Sequence, residues 1–232
     1  MRVAIMQPYF LPYIGYFQLI SSVDQFVIYD NVKYTKKGWI NRNRFLQNDE
    51  AALFSLPLQN DSDSNSIRQR SLAADFNRAK LLNLLRGAYS KSKFFDQTFT
   101  LIERIVRFPE QNLFSYLYNS VSLICDHLSI KTKIVVSSEI PINHQLRSQD
   151  RVVTLCRALG ATTYVNPING LSLYSKEEFA LFGIGLVFIE SLPFEYRQNG
   201  GLFVPHLSIL DVLMFNDLEI VKAQISDGYR FV

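Results

Sequence analysis

Two apolar runs near the amino end, Val3-Ala4-Ile5-Met6 and Phe26-Val27-Ile28-Tyr29, constrain the fold more than any other feature. Neither alternates apolar with polar residues, so each reads as a strand covered on both faces. Between them lie a double-proline loop and Gly15-Tyr16-Phe17-Gln18-Leu19-Ile20, where Tyr16, Leu19 and Ile20 fall at helical spacing. Strand, helix and strand within about thirty residues make a compact βαβ unit. That unit predicts a parallel pair with a right-handed crossover.

The rest of the chain extends the pattern. Ala51 to Leu58 reads as a third strand, and Gln59 to Gln69, rich in Asn, Asp and Ser, as a mobile, solvated loop. From Asp75 the period turns helical, with apolar faces at Leu81, Leu82, Leu84 and Leu85, at Leu101, Ile102, Ile105 and Val106, and from Leu113 to Ile124. Ile134 to Ile140 returns to strand chemistry, Arg147 to Arg151 opens a helix that continues over Val152 to Leu159, and Gly160 caps it. Thr162 to Pro167 completes a second βαβ unit. A short helix over Ser175 to Phe182 and a final strand over Gly185 to Glu190 follow, and Ser208 with Asp211 has the spacing of a helix-capping pair. The expectation is a single α/β domain over residues 1–232. Its sheet is mainly parallel and Rossmann-like, flanked by helices, with a helical insertion at about 75–128.

Composition narrows the function. The 24 basic and 21 acidic residues are spread along the chain, which gives no footprint for DNA and lends no support from charge to an aminoacyl-tRNA partner. Cys125 and Cys156 lie inside apolar helical patterns and read as buried free thiols. His127, His144 and His206 show no metal-ligand spacing with them, so no metal site is expected. No apolar run nears the length of a bilayer span and no secretory signal is evident, predicting a cytoplasmic chain with no membrane span. P-loop, G-x-G-x-x-G, G-x-S-x-G and H-E-x-x-H patterns are all absent.

What remains is a set of aromatics, amides and cations at predicted strand exits, where open α/β sheets bind ligands. The first exit carries Gln7, Tyr9, Tyr13 and Gly15. The second follows Asp30 and holds Lys36, the only tryptophan, Trp39, and Arg42-Asn43-Arg44. Such a basic stretch is either a solvated loop or a set of donors for phosphate or carboxylate, and its place beside the first loop favours the latter. Asn166, Asn169 and Tyr174 mark a third exit, which reads equally well as an Asn-Gly turn. Tyr89 to Phe95 is a basic-aromatic turn suited to packing or to an anionic ligand, with packing ahead. His206 is a general base or a surface residue.

The opening loop also resembles the histidine loop of nucleotidyltransferases and class I aminoacyl-tRNA synthetases, with Tyr13-Ile14-Gly15-Tyr16 placing tyrosines where those folds hold histidines. Backbone amides at the helix start still favour an anion there. A fuller resemblance joins Gln7-Pro8-Tyr9, Pro12 to Phe17, Asp30, Lys36, Trp39 and Asn41 to Arg44. It continues through Leu159-Gly160-Ala161, Tyr164, Asn166-Pro167, Gly170, Tyr174 and Leu207 to Asp211, and so covers nearly the whole chain. This pattern is similar to that of the WbqC-like family, in which a tryptophan is common at the place of Tyr13. The resemblance implies a bacterial protein of surface-polysaccharide and O-antigen gene clusters, modifying amino sugars by adding an aminoacyl group such as glycyl. On that reading the chain is an amide-forming transferase on a nucleotide-linked amino sugar. Arg42, Arg44 and Lys36 hold phosphate, Trp39 or Tyr9 stacks, Gln7, Asn166 and Asn169 orient polar groups, and Asp30 or His206 takes the proton. ATP and magnesium are required if the amino acid is activated in the same protein, and neither if an aminoacyl-tRNA is the donor. The alternative is a non-catalytic protein that binds a sugar nucleotide or carrier within a polysaccharide assembly complex.

Overall fold

The structure, a computed structural model, describes residues 1–232. The chain enters a strand, β1 (Arg2–Met6), turns through the double-proline loop into α1 (Ile14–Ser21), and returns as β2 (Gln25–Ile28). Val3 to Met6 pair in parallel with Gln25 to Ile28, as the spacing predicts. Next comes a hairpin of β3 (Arg42–Gln47) and β4 (Glu50–Ser55), then three helices, α2 (Arg78–Tyr89), α3 (Phe95–Val106) and α4 (Leu113–His127). Asn77 and Asn112 start α2 and α4 by accepting from the amides of Lys80 and Ser115, the side-chain capping that favours Asn outside a first turn. The second βαβ unit is β5 (Lys133–Val136), α5 (Ser148–Ala158) and β6 (Thr163–Pro167); α6 (Lys176–Ala180), β7 (Gly185–Ser191), α7 (Ile209–Phe215), α8 (Leu218–Asp227) and β8 (Tyr229–Phe231) complete the chain.

One six-stranded sheet runs in the order β5-β2-β1-β6-β7-β8, all parallel except β8. This is the α/β architecture expected, a mostly parallel sheet flanked by helices. Successive side chains of a strand point to opposite faces. Ala4, Phe26, Ile28 and Val165 therefore enter a core of 45 buried residues shared with α1, α8 and the inserted helices, whereas Val3, Ile5, Val27 and Tyr164 enter a core of 14 under α5 and α6. The insertion side carries the main core.

Three local readings are corrected. Ala51 to Leu58 does not join the main sheet: Glu50–Ser55 pairs antiparallel with Arg42–Gln47, so Arg42, Asn43 and Arg44 lie on a strand and not in a loop. Their period-two signal is real, since Asn43 and Phe45 are buried while Arg42 and Arg44 are half-exposed, but the cations mask it. Gly185–Ser191 is not the last strand, because Tyr229–Phe231 adds an antiparallel edge. Ser208 does cap α7, accepting from the Leu210 amide, but the Asp211 side chain plays no part in capping. The Ser208 amide donates to the Arg44 carbonyl, and the Asp211 carboxylate is buried among other donors.

Candidate functional site

The five parallel strands end at one edge of the sheet. From β1 the chain moves to β2 on one side, and from β6 to β7 on the other, so the gap between β1 and β6 is the topological switch point. Gln7 leaves β1 there and Asn166 lies near the end of β6.

On the main-core side, the loop after β1 is clamped from two directions. The buried Asn43 amide donates to the carbonyls of Phe10 and Leu11, at 3.2 and 2.8 Å. The Ser208 hydroxyl also donates to the Leu11 carbonyl at 2.7 Å, and the Ile209 amide donates to Pro12 at 2.8 Å. Leu11 sits at φ 45° and His206 at φ 56°, a left-handed region that side-chain-bearing residues rarely occupy. The predicted Trp39 and Arg44 lie together next to this clamp, and His206 precedes its Ser208 arm in the chain. The Arg44 guanidinium lies 4.9 Å and that of Arg42 5.9 Å from the centre of the Trp39 ring, and His206 is two residues from the Ser208 amide that donates to Arg44. Arg42 is also spent on the turn before it, donating to the carbonyls of Lys37 and Gly38. Tyr9 packs on Tyr16, whose hydroxyl donates to the Gln7 carbonyl at 3.0 Å. Burial raises the phenol of Tyr9, with the neighbouring Tyr13 adding to it. Burial raises Tyr13 too, opposed by a hydrogen bond with Ser191. Both therefore stay neutral hydroxyls. Gly15 is required for this packing, because a Cβ there would stand 2.3 Å from the Tyr13 ring and 2.6 Å from the Ser191 hydroxyl.

At the ends of β2 and β5 a second polar group forms, most of which the sequence reading missed. Asp30, 2% exposed, accepts from the Ser137 hydroxyl at 2.9 Å and the Ser138 amide at 3.0 Å, and its other oxygen lies 3.4 Å from Arg68. Asn31 holds Ser137, His144 and Arg151 together through one side-chain amide. The His144 Nε2 faces the Ile140 carbonyl at 3.0 Å and its Nδ1 faces the Asn31 side-chain amide at 3.1 Å. Arg151 is 8% exposed, lies over the Tyr29 ring at 5.1 Å, and has no carboxylate partner; its Nε has no hydrogen bond. Burial raises the Tyr29 phenol while the Arg151 charge opposes the shift. A signal for Arg151 existed: it shares the apolar face of α5 with Leu155 at i+4, where a cation is out of place.

The third exit lies on the opposite face. Asn166 accepts from the Tyr164 hydroxyl at 3.1 Å, and Tyr174 packs edge-on against Tyr164 in the smaller core. Gly170 is tied to this arrangement, since a Cβ there would stand 1.8 Å from the Asn166 amide nitrogen. Asn169 is exposed. Lys36 is also exposed and pairs with Asp63 at 2.6 Å. The predicted residues thus divide: Tyr9, Tyr13, Gly15, Trp39, Arg42 to Arg44 and His206 lie on the main-core side, Asn166 and Tyr174 lie on the other, and Gln7 leaves β1 at the gap between β1 and β6. A cleft of about 950 Å³ belongs to none of these groups and opens between the hairpin tip and the α2–α3 turn. The strand edge is the better candidate for chemistry, because the switch point, the buried Arg151 and the left-handed Leu11 lie along it.

Comparison with known proteins agrees with the extent of these features. The uncharacterized protein Rv1507c of Mycobacterium tuberculosis is 29% identical over 233 residues, covering 99% of this chain and 98% of that one. The model of the WbqC-like protein family matches residues 7–223, from the first strand exit through most of α8. The chain belongs to the WbqC-like protein family.

Proposed function

We propose that the chain is an amide-forming transferase that binds a nucleotide-linked amino sugar at the carboxyl edge of the sheet. It adds an aminoacyl group such as glycyl, a step of surface-polysaccharide assembly of the O-antigen kind. The observation that carries the binding half is Arg151, a guanidinium removed from water with only the neutral Asn31 and the Tyr29 ring beside it. An isolated buried charge costs several kcal/mol, which an incoming phosphate offsets. The amide-forming half is supported by the resemblance. In that step the sugar amine attacks the activated aminoacyl carbonyl, the C–N bond forms, the donor's leaving group departs, and the amine loses a proton. His206, which is exposed, is better available to take it than Asp30, whose oxygens already face Ser137, Ser138 and Arg68. ATP and magnesium enter if this protein activates the amino acid, and an aminoacyl-tRNA replaces both if it does not.

The test incubates purified protein with amino-sugar nucleotides, glycine and either ATP with magnesium or glycyl-tRNA. A new amide is expected from one donor, and Arg151→Met is expected to raise KM about ten-fold or more without loss of folding. Absence of any amide across several amino sugars and amino acids refutes the enzyme. Unchanged KM in Arg151→Met refutes the phosphate assignment.

The occupied state of Asp30 favours a second reading, a non-catalytic protein that binds a sugar nucleotide or carrier for an assembly complex. Ligand binding in vitro together with an unaltered polysaccharide in a deletion strain would support it.

A further inference from the structure

The cleft of about 950 Å³ is at the upper end of small-molecule sites, and its lining is polar: Lys91, Lys93 and Arg197 face a single carboxylate, Asp49, among side-chain amides such as Asn83 and Asn199. Its walls come from three parts of the chain and are tied to one buried acid. Tyr89, at the end of α2, donates to Asp211 at 2.9 Å while accepting the Leu46 amide of β3 at 2.8 Å. Gln198, from the opposite wall, donates to Asp211 at 2.8 Å, and Tyr196 beside it donates at 2.7 Å. The lysine-bearing turn is pinned as well. Ser92, buried between the two lysines, donates its hydroxyl to the Tyr89 carbonyl at 2.8 Å, and the Phe94 amide donates to Met214 at 3.1 Å. The cations therefore stand on a fixed frame.

Gly87 supplies a separate argument. It lies inside α2, where glycine is the poorest helix former after proline, and it lines the cleft. A Cβ at this position would meet nothing within 4 Å. No neighbour in the fold requires glycine there, so an alanine would fit and favour the helix. A ligand lying close against the α2 backbone accounts for the bare surface.

We infer that this cleft, separate from the carboxyl edge, binds a phosphorylated saccharide, with Lys91, Lys93 and Arg197 receiving the phosphate, the Asn and Gln side chains pairing with hydroxyls, and Gly87 leaving room for the ring. Amides carry both donors and acceptors, which suits sugar hydroxyls, and the lining offers too little apolar surface for a lipid. The assignment stands whether or not the strand edge performs the transfer proposed above.

The test titrates isotope-labelled protein with a hexosamine 1-phosphate, its nucleotide-linked form, the uncharged hexosamine and inorganic phosphate, reading backbone amide resonances. Saturable shifts at Gly87 and Ser90 to Lys93 are expected from the two sugar phosphates, the tighter naming the source, with the hexosamine and phosphate alone at least about ten-fold weaker. Lys93→Gln with Arg197→Gln should weaken binding about ten-fold or more. Gly87→Leu should abolish these shifts while the melting temperature rises by about 2–4 °C, and Arg151→Met should leave them intact. No saturable shift, equal binding of phosphate alone, or full binding by Gly87→Leu overturns the inference.

Discussion

Replacing Asp211 tests the buried frame most directly. Its side chain is fully buried, accepts from Tyr89, Tyr196 and Gln198, and forms no ion pair. Asp211→Ala removes the acceptor and orphans three donors; at about 1–3 kcal/mol each, with some relaxation, the loss is roughly 3–6 kcal/mol. That is a large share of the roughly 5–15 kcal/mol available to a typical fold. Asp211→Asn keeps an oxygen for Tyr196 and Gln198 but turns an amino group toward a Tyr89 hydroxyl that already accepts from Leu46, so its cost is about 1–2 kcal/mol. Urea unfolding with matched slopes measures both. The pH dependence has a definite sign. Burial raises the Asp211 carboxyl, against the three hydrogen bonds that lower it. The folded state then holds the proton more tightly than the unfolded chain, so stability falls as pH rises from about 3.9, the ordinary value, through the raised folded value. Asp211→Asn should lose that slope. An alanine variant within about 1 kcal/mol of wild type, or parallel pH profiles for wild type and Asn, would refute the reasoning.

Other perturbations follow from the same geometry. His206→Gly relieves a left-handed backbone at an exposed position and should raise stability by about 1 kcal/mol in thermal unfolding, while lowering turnover if His206 takes the amine proton; lower stability would count against strain at this site. Gly170→Ala forces a methyl onto the Asn166 amide and should destabilise by about 2–4 kcal/mol, with most of the loss recovered by adding Asn166→Ser. Burial pushes the thiols of Cys125 and Cys156 up to about 12, so a disulfide reagent should label neither until the protein unfolds.

The sheet was readable wherever burial leaves a local trace. Val3 to Met6 and Phe26 to Ile28 are covered on both faces, so the runs themselves announce parallel strands, and the inserted helices repeat at helical spacing. Arg42–Gln47 was hidden because its exposed face carries cations that look like a solvated loop. The role of Asp211 is hidden in the sequence for a different reason. Its spacing from Ser208 is that of a capping pair, and its other role comes from tertiary contacts with Tyr196, Gln198 and Tyr89, the last 122 residues away. The candidate site divides in the same way. Strand exits can be located from pattern, which is why Gln7 and Asp30 were found, whereas the grouping of Asn31, Ser137, His144 and Arg151 depends on β5 lying beside β2.

Strand β3 explains why a short hairpin outside the sheet matters to both sites. From one strand, Asn43 holds the Phe10 and Leu11 carbonyls and the Leu46 amide meets the Tyr89 hydroxyl. The Arg44 carbonyl, between them, receives the Ser208 amide at the start of α7, which in turn carries Asp211. A left-handed Leu11 costs about 1–2 kcal/mol, and three side-chain hydrogen bonds from Asn43 and Ser208, at about 1 kcal/mol each, are enough to offset it. The loop at the strand edge therefore keeps its shape because the hairpin and α7 are fixed, and both are fixed by the polar frame around Asp211. Exposed cations on β3 do not contradict its structural role: Arg42 and Arg44 flank Trp39 on the open side, while the buried side of the same strand holds the two sites in register.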